Sequence, residues 1–178
     1  MSWTPASGAK SLVSRVGRDV AIERLIVMLR GEVDPADLAW PPYREVLLDV
    51  GNGHAQRLLT DDSGERLDYW PRVWAARALA YIGSEAERPA LVGSLTENHW
   101  RVRMTGAQSL GRLGIEGVTP NLLVALADDH ERVRAAALVA LGRVGDASAL
   151  DRLVEEMKND PGNRAVERAI LLISERLA

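Results

Sequence analysis

Two matching stretches decide the fold, RVRMTGAQSLGRLG at residues 101–114 and RVRAAALVALGRVG at residues 132–145. Each begins with two arginines, continues through regularly spaced apolar residues and ends in glycine. A weaker copy precedes them. The strictest matches recur at a constant step, which is the separation in sequence from residue 72 to residue 103 and again from residue 103 to residue 134. The matching sets are Arg72, Arg103 and Arg134; Leu79, Leu110 and Leu141; and Gly83, Gly114 and Gly145. A fixed period of this length predicts a repeat protein, in which each unit packs mainly on its neighbours.

The spacing of the apolar residues predicts two helices in every repeat. In the last copy the positions i, i+3, i+4, i+7, i+8 and i+11 hold Val133, Ala136, Ala137, Ala140, Leu141 and Val144, as in an amphipathic helix. The glycine that follows each such first helix is expected to form a left-handed C-cap. Second helices are expected at 86–96, 119–127 and 148–158. Because neither helix can bury its apolar stripe alone, we expect the hairpins to stack.

The chain of 178 residues fits a single domain that consists of a repeat array and its two caps. A first segment rich in Ser, Gly and Lys is expected to be a flexible arm with a helical turn around Ser11–Val16, and Trp3 is expected to be disordered. An N-terminal cap, about four two-helix repeats and a C-terminal capping helix follow. These four segments are 1–17, 18–40, 41–161 and 162–178.

Helices are also predicted in the cap and in the first, degenerate repeat. Turn and capping residues such as Asp19, Gly31 and the Pro41-Pro42 pair set their limits. The predicted ranges are 19–30, 34–39, 43–50 and 55–60. Trp40 is expected to pack on the cap.

Composition excludes several classes of function. The net charge is −3 and there is no cysteine, which argues against non-specific nucleic-acid binding and against thiolate chemistry. The start of the chain lacks the apolar core of a signal peptide, and no run reaches the ~18 apolar residues of a membrane span. We therefore expect a soluble cytoplasmic protein.

No pattern in the chain indicates catalysis, a cofactor or a metal. The nucleophile elbow, the phosphate-binding loop and the zinc-protease helix motif are all missing. His99 and His130 lie one period apart, but a repeat width of ~10 Å is too long for two ligands that share one zinc through bonds of ~2 Å. His54 stands alone. We therefore predict no catalytic residue and no metal site.

The repeats resemble the HEAT-repeat family, in its short form named after phycobilisome-lyase proteins. The resemblance rests on Val102-Arg103 with Leu110-Gly111-Arg112-Leu113-Gly114, on the equivalent copy in the next repeat, and on Pro89 and Pro120 in the second helices. It covers residues 41–161 and implies an all-α, right-handed solenoid whose Val-Arg helices line the concave face. Pro71 in place of the valine and Asp151 in place of the proline depart from the pattern.

Arg72, Arg103 and Arg134, here called the arginine ladder, have two interpretations. They could offer a row of guanidinium groups to carboxylates or phosphates. The resemblance instead implies a structural role, in which each arginine pairs with an acidic residue of the preceding inter-helix turn. Such residues are present at Glu97, Asp128, Asp129 and Asp160. We favour the structural interpretation.

Other arginines on the first helices lie off the apolar stripe and are better candidates for binding. They are Arg77, Arg101, Arg112, Arg132 and Arg143. The second helices and turns instead carry Glu85, Glu87, Glu116, Asp151, Glu155 and Glu156. This segregation predicts a basic concave ridge for an anionic or acidic partner, although solvated faces with intrahelical pairs would give the same pattern.

The tryptophans divide between the core and the edge of this ridge. Trp74 falls on the apolar stripe and is expected to be buried. Trp70 and Trp100 begin first helices, beside the ladder arginines. They could anchor a partner, as Trp and Arg often do, or they could staple the helix entries. Both interpretations stay open.

The sequence therefore predicts a non-catalytic interaction module that binds a protein with an acidic segment. One alternative is a nucleic-acid-binding protein similar to the HEAT-like DNA glycosylases, against which the acidic pI argues. Another is a bilin-lyase-like enzyme, suggested by the family name alone. The sequence does not distinguish a monomer from a dimer.

Overall fold

A computed structural model describes residues 3–33, 43–51, 55 and 69–178. Within these residues the chain forms α-helices and short 3₁₀ turns, with no strand. The α-helices are α1 (Pro5–Val16), α2 (Arg18–Leu29), α3 (Tyr43–Val50), α4 (Tyr69–Ile82), α5 (Arg88–Gly93), α6 (Trp100–Leu113), α7 (Thr119–Ala125), α8 (Glu131–Val144), α9 (Ala147–Asn159) and α10 (Arg164–Leu177). In the described part of the chain, none of these helices has the length and apolarity needed to span a membrane.

The helices stack in two layers, as the repeat period predicts. The first helices α4, α6 and α8 pack side by side, with α2 before them and α10 after them. Each second helix packs against the helix that begins the next unit: α5 against α6, α7 against α8, and α9 against α10. Leu79, Leu110 and Leu141, one per repeat, are fully buried in the core between the layers. The fold is an all-α solenoid.

Small residues on the first helices allow close packing, as the sequence predicts. Thr105, Ser109 and Ala136 lie on the apolar stripes of α6 and α8, and all three are buried. At Gly111 a Cβ atom would lie 2.8 Å from Ala140 Cα on α8, so the backbones of α6 and α8 approach too closely for any side chain there.

The predicted left-handed cap is confirmed at Gly114 only, where φ is 71°. The prediction is wrong for Gly145, where φ is −64°, and for Gly83, which also lacks a positive φ. Arginine side chains from other helices satisfy the carbonyl groups at these two ends. Arg18 donates two hydrogen bonds to Ile82 O, and Arg176 donates to the carbonyls of Gly142, Arg143 and Gly145. A left-handed turn is not needed where another element supplies the donors.

The expectation of a flexible arm over 1–17 is wrong for residues 5–16, which form α1, and the helical turn expected around Ser11–Val16 is the second half of this helix. Thr4 and Ser7 make a capping box at its start, and Ala9 and Leu12 are fully buried. Trp3, expected to be disordered, donates a hydrogen bond from Nε1 to Asp49 O at 3.1 Å. The abundance of small polar residues hides this helix in the sequence.

Asp49 ties α1 to the end of α3. Its carboxylate is buried and accepts hydrogen bonds from Ser11 Oγ and Arg15 Nη2, both at 2.9 Å. Its carbonyl oxygen lies so close to Gly8 that a Cβ on Gly8 would overlap it. The N-terminal helix is therefore docked through Gly8, whose missing side chain is a packing requirement.

The other predicted helices have different outcomes. The second helix expected at 86–96 is divided into a 3₁₀ turn at Glu85–Glu87, the short α5, and a 3₁₀ turn at Ser94–Thr96. The helix expected at 43–50 is confirmed as α3. The predictions for 34–39, Trp40, His54 and 56–60 lie outside the described residues.

Replacing Gly8 with alanine should destabilise the protein by about 1–2 kcal/mol, because overpacking outweighs the gain in helix propensity. Ser14 is exposed on the same helix and provides the control, since Ser14→Ala should be neutral or slightly stabilising. Urea unfolding measures both variants. If Gly8→Ala were stabilising, α1 would not pack on α3 in solution.

Candidate functional site

Two arginines of the ladder, Arg72 and Arg103, form ion pairs with the turn at the end of the second helix of their own repeat. Arg72 contacts Glu97 at 2.6 Å. Arg103 binds Asp128 through Nε at 2.6 Å and Nη2 at 2.9 Å. Each carboxylate follows its arginine in the chain, at the end of the second helix of the same repeat. The expected pairing with an acidic side chain of the preceding turn is therefore wrong for Arg103, whereas the turn before Arg72 lies outside the described residues.

The preceding turn supplies backbone carbonyl groups instead. Arg103 Nη1 donates to the carbonyl oxygens of Glu97 and Asn98 at 2.8 and 2.9 Å. Arg134 Nη1 donates in the same way to Asp128 and Asp129. Arg103 thus connects two repeats, which supports the structural interpretation of the ladder.

Arg134 differs from Arg103 because the position equivalent to Asp128 holds Asn159. No carboxylate among the described residues, including Asp160, forms an ion pair with Arg134, and Arg134 is exposed. The ladder therefore weakens toward the C-terminus.

The pair between Arg103 and Asp128 is shielded from solvent, with side chains 18% and 10% exposed. Hydrogen bonding to Arg103 is the largest effect on Asp128 and holds the pKa of this carboxyl below its usual value, although desolvation opposes it. The hydrogen bond with Asp128 likewise raises the pKa of the Arg103 guanidinium. Both pKa shifts arise because the pair stabilises the charged form of each partner.

The starts of α4, α6 and α8 carry a row of stacked rings, here called the aromatic row. Tyr69 stacks on His99 with centroids 3.5 Å apart, and Trp100 stacks on His130 at 3.9 Å. Trp70 contacts Trp74 at 5.8 Å, and Trp74 is buried as predicted. Each histidine thus stacks on the ring that begins the first helix of the preceding repeat.

Both histidines are N-caps. The backbone N–H of Arg101 donates to His99 Nδ1, and that of Arg132 donates to His130 Nδ1, each at 3.2 Å. The equal spacing of these histidines therefore reflects a local role in starting α6 and α8. This N-cap role was not predicted from the sequence, where the two histidines were considered only as metal ligands.

Arg101 and Arg132 lie over the aromatic row. The Arg101 guanidinium carbon is 4.3 Å from the Trp100 ring centroid and 5.6 Å from that of Trp70. The Arg132 guanidinium carbon is 5.6 Å from the Trp100 ring. Four of the predicted binding residues thus come together, and cation–π contacts hold the arginines in place.

The other three predicted arginines lie farther along the same helices. Arg77, Arg112 and Arg143 line a cavity of about 360 Å³ on the exposed side of α4, α6 and α8. Small residues line it as well, namely Ala80, Thr105, Ser109, Gly111 and Ala140, and the remaining lining residues are Tyr81, Gln108 and Val139. We call this cavity the arginine pocket.

Among the described residues, no acidic side chain lines the arginine pocket. Arg112 lies over the Tyr81 ring with its guanidinium carbon 4.1 Å from the centroid. Burial lowers the pKa of the Arg77 guanidinium from its usual value, and Tyr81 partly opposes this effect. Within the part of the chain that the structure describes, no carboxylate forms an ion pair with Arg77, Arg112 or Arg143.

The acidic residues expected on the opposite flank are partly engaged there. Glu85 pairs with Arg88, and Glu155 pairs with Lys158. Glu87 is buried and accepts a hydrogen bond from the backbone N–H of Ser84. The acidic groups therefore do not neutralise the arginines of the first helices.

Tyr69, Tyr81 and Gln108 belong to the site but were not predicted. Tyr69 occupies the same repeat position as Trp100, and Tyr81 occupies that of Arg112 and Arg143. Comparison of repeat positions, and not of residue types, would have identified both tyrosines. Gln108 projects from an exposed position that carries no distinguishing signal.

Comparison with known families agrees with the architecture. The family model for HEAT repeats matches residues 58–123 and 99–174. A search of curated proteins finds no match to the chain. The two-layer stack, the constant repeat period and the family match together show that the chain belongs to the HEAT-repeat family.

Proposed function

We propose that the protein is a non-catalytic interaction module that binds an acidic segment of a partner protein along the exposed side of α4, α6 and α8. HEAT repeats commonly serve as protein-interaction scaffolds. The observation that carries the proposal is the set of five arginines on this side, none of which forms an ion pair with a carboxylate of the described residues.

The aromatic row would supply the anchor of this surface. Trp70 and Trp100 are half-buried, and Arg101 lies over both rings. A rigid aromatic base with a cation held on top loses little conformational entropy when a partner docks. Such Trp and Arg pairs are frequent among the residues that dominate binding energy.

The arginine pocket would supply charge complementarity. A partner segment that spans from the aromatic row to the pocket would face five guanidinium groups along three consecutive helices. Complementary charge of this kind accelerates association and rejects basic partners. The net charge of −3 means that the attraction is local to this surface.

A short-peptide display library with variable Asp and Glu content tests the proposal. The wild-type protein should enrich acidic sequences, and Arg101→Gln with Arg132→Gln should weaken their binding by about tenfold or more. The matched control is Arg152→Gln with Lys158→Gln, which removes the same charge from α9. It should change the affinity by less than about twofold, since these residues lie in the other layer.

Two outcomes would count against the proposal. Failure of the wild-type protein to enrich acidic sequences would contradict it directly. Equal losses in the two double variants would show that net charge, and not this surface, controls the binding.

A further inference from the structure

The arginine pocket brings three guanidinium groups to one cavity. Arg77, Arg112 and Arg143 share a cavity of about 360 Å³, and no carboxylate of the described part of the chain lines it. Several carboxylates brought together in one cavity of this size would repel each other. A single glutamate or aspartate would leave most of the charge unpaired.

A phosphate monoester fits the pocket better. It carries about −1.5 to −2 charges at neutral pH on one compact group with several acceptor oxygens. Guanidinium groups suit it because their N–H donors form paired, charge-assisted hydrogen bonds with phosphate. The cavity lies within the range of about 300–1,000 Å³ found for ligand sites, so it also has room for the side chain that bears the phosphate.

Two of the arginines are held ready for such a ligand. A cation–π contact with Tyr81, 4.1 Å from the ring centroid, holds the Arg112 guanidinium beside the cavity. Arg77 is half-buried without an ion-pair partner among the described residues, and an uncompensated charge of this kind gains when an anion enters. Gln108 and Tyr81 add neutral polar groups to the lining.

We propose that the arginine pocket is a binding site for a phosphate monoester carried on a side chain of the partner segment. This inference rests on the proposed function for the origin of the phosphate, but the pocket chemistry can be tested without any partner. It predicts that phosphorylation of the partner increases its affinity.

The test follows the arginine Nε–Hε signals by NMR while O-phospho-L-serine, L-glutamate or inorganic phosphate is added to the full chain. O-phospho-L-serine should shift the signals of Arg77, Arg112 and Arg143 in a saturable way. Its affinity should exceed that of glutamate by about tenfold or more, since the phosphate can accept more charge-assisted hydrogen bonds. In the double variant Arg112→Gln and Arg143→Gln, O-phospho-L-serine should no longer cause a saturable shift of the remaining arginine signals. In the control variant Arg152→Gln, on α9, the saturable shift should be preserved. Circular dichroism checks that the double variant stays folded, and both of its sites are exposed.

Each alternative result has a defined meaning. Equal affinity for O-phospho-L-serine and glutamate, or no saturable shift at all, would overturn the phosphate site and leave the acidic-segment proposal to its own library test. Tighter binding of inorganic phosphate than of O-phospho-L-serine would overturn the assignment to a side chain. Failure of the library test together with saturable phosphoserine binding would overturn the proposed function alone.

Discussion

Gly111→Ala should lower the free energy of unfolding by about 2 kcal/mol. Overpacking costs about 1–3 kcal/mol, and the gain in helix propensity from glycine to alanine offsets only a smaller part of this cost. A methyl group at this position would lie 2.8 Å from Ala140 Cα and 2.9 Å from Ala140 Cβ. Both atoms belong to the packed backbone region of α8 and cannot rotate away. The two helices would have to separate, which would open the contact between the third and fourth repeats.

Gly142 is the matched control because it occupies the same position one repeat later. A methyl group there would meet Leu172 Cδ1 at 3.3 Å and Ala169 Cα at 3.4 Å. These contacts need only a small adjustment, so Gly142→Ala should be neutral or stabilising by up to about 1 kcal/mol through helix propensity. Urea unfolding of the two variants decides the matter. Equal stability of both variants would contradict the close approach of α6 and α8.

Arg103→Ala should destabilise the protein by about 3 kcal/mol, because it leaves the shielded carboxylate of Asp128 without its partner. It also removes the donors to the carbonyl groups of Glu97 and Asn98. The matched control is Arg134→Ala, since Arg134 is exposed and, within the described residues, binds two backbone carbonyls and no carboxylate. The control should lose about 1 kcal/mol. Equal losses in thermal unfolding would show that the carboxylate pair does not matter.

The contribution of Asp128 should also depend on pH in a defined direction. Its pKa in the folded protein lies below the usual value, so its ionised form binds Arg103 at pH values above the unfolded pKa of about 3.9. The stabilisation is lost as the pH falls through the folded pKa. The stability difference between the wild-type protein and Arg103→Ala should therefore be full near neutrality and should shrink below about pH 4. A difference that stays constant at low pH would exclude this pair as its source.

The repeat period predicted most of the fold because each period marks one packing unit. Leu110 and Leu141 are buried where the pattern requires, and α6 and α8 end directly before Gly114 and Gly145. The pattern failed at α1, where Gly8 and Ser11 act through long-range contacts with Asp49. Composition reports the average character of a segment, but not which small residue lies against a neighbouring backbone.

The candidate site was predicted less completely. Residue type and spacing identified the arginines, since a guanidinium group off the apolar stripe must lie near the surface. They did not show that Arg101 joins the aromatic row while Arg112 joins the pocket, because that division depends on which ring each side chain meets in the neighbouring repeat. The acidic partner of Arg103 was placed in the wrong turn, since the sequence offers acidic residues in both.

The ladder pairs and the aromatic row together restrict how the length of this chain can change. The link before α7 lies between Arg103 and its partner Asp128, and also between Trp100 and its partner His130. An insertion or deletion of a single residue in this link would change the number of residues between Arg103 and Asp128 and also the number between Trp100 and His130. Both contacts would therefore be disturbed by the same change. A duplication of one complete period would reproduce every such contact in the new copy. Whole repeats are therefore the unit by which this array can lengthen or shorten without losing its internal bonds.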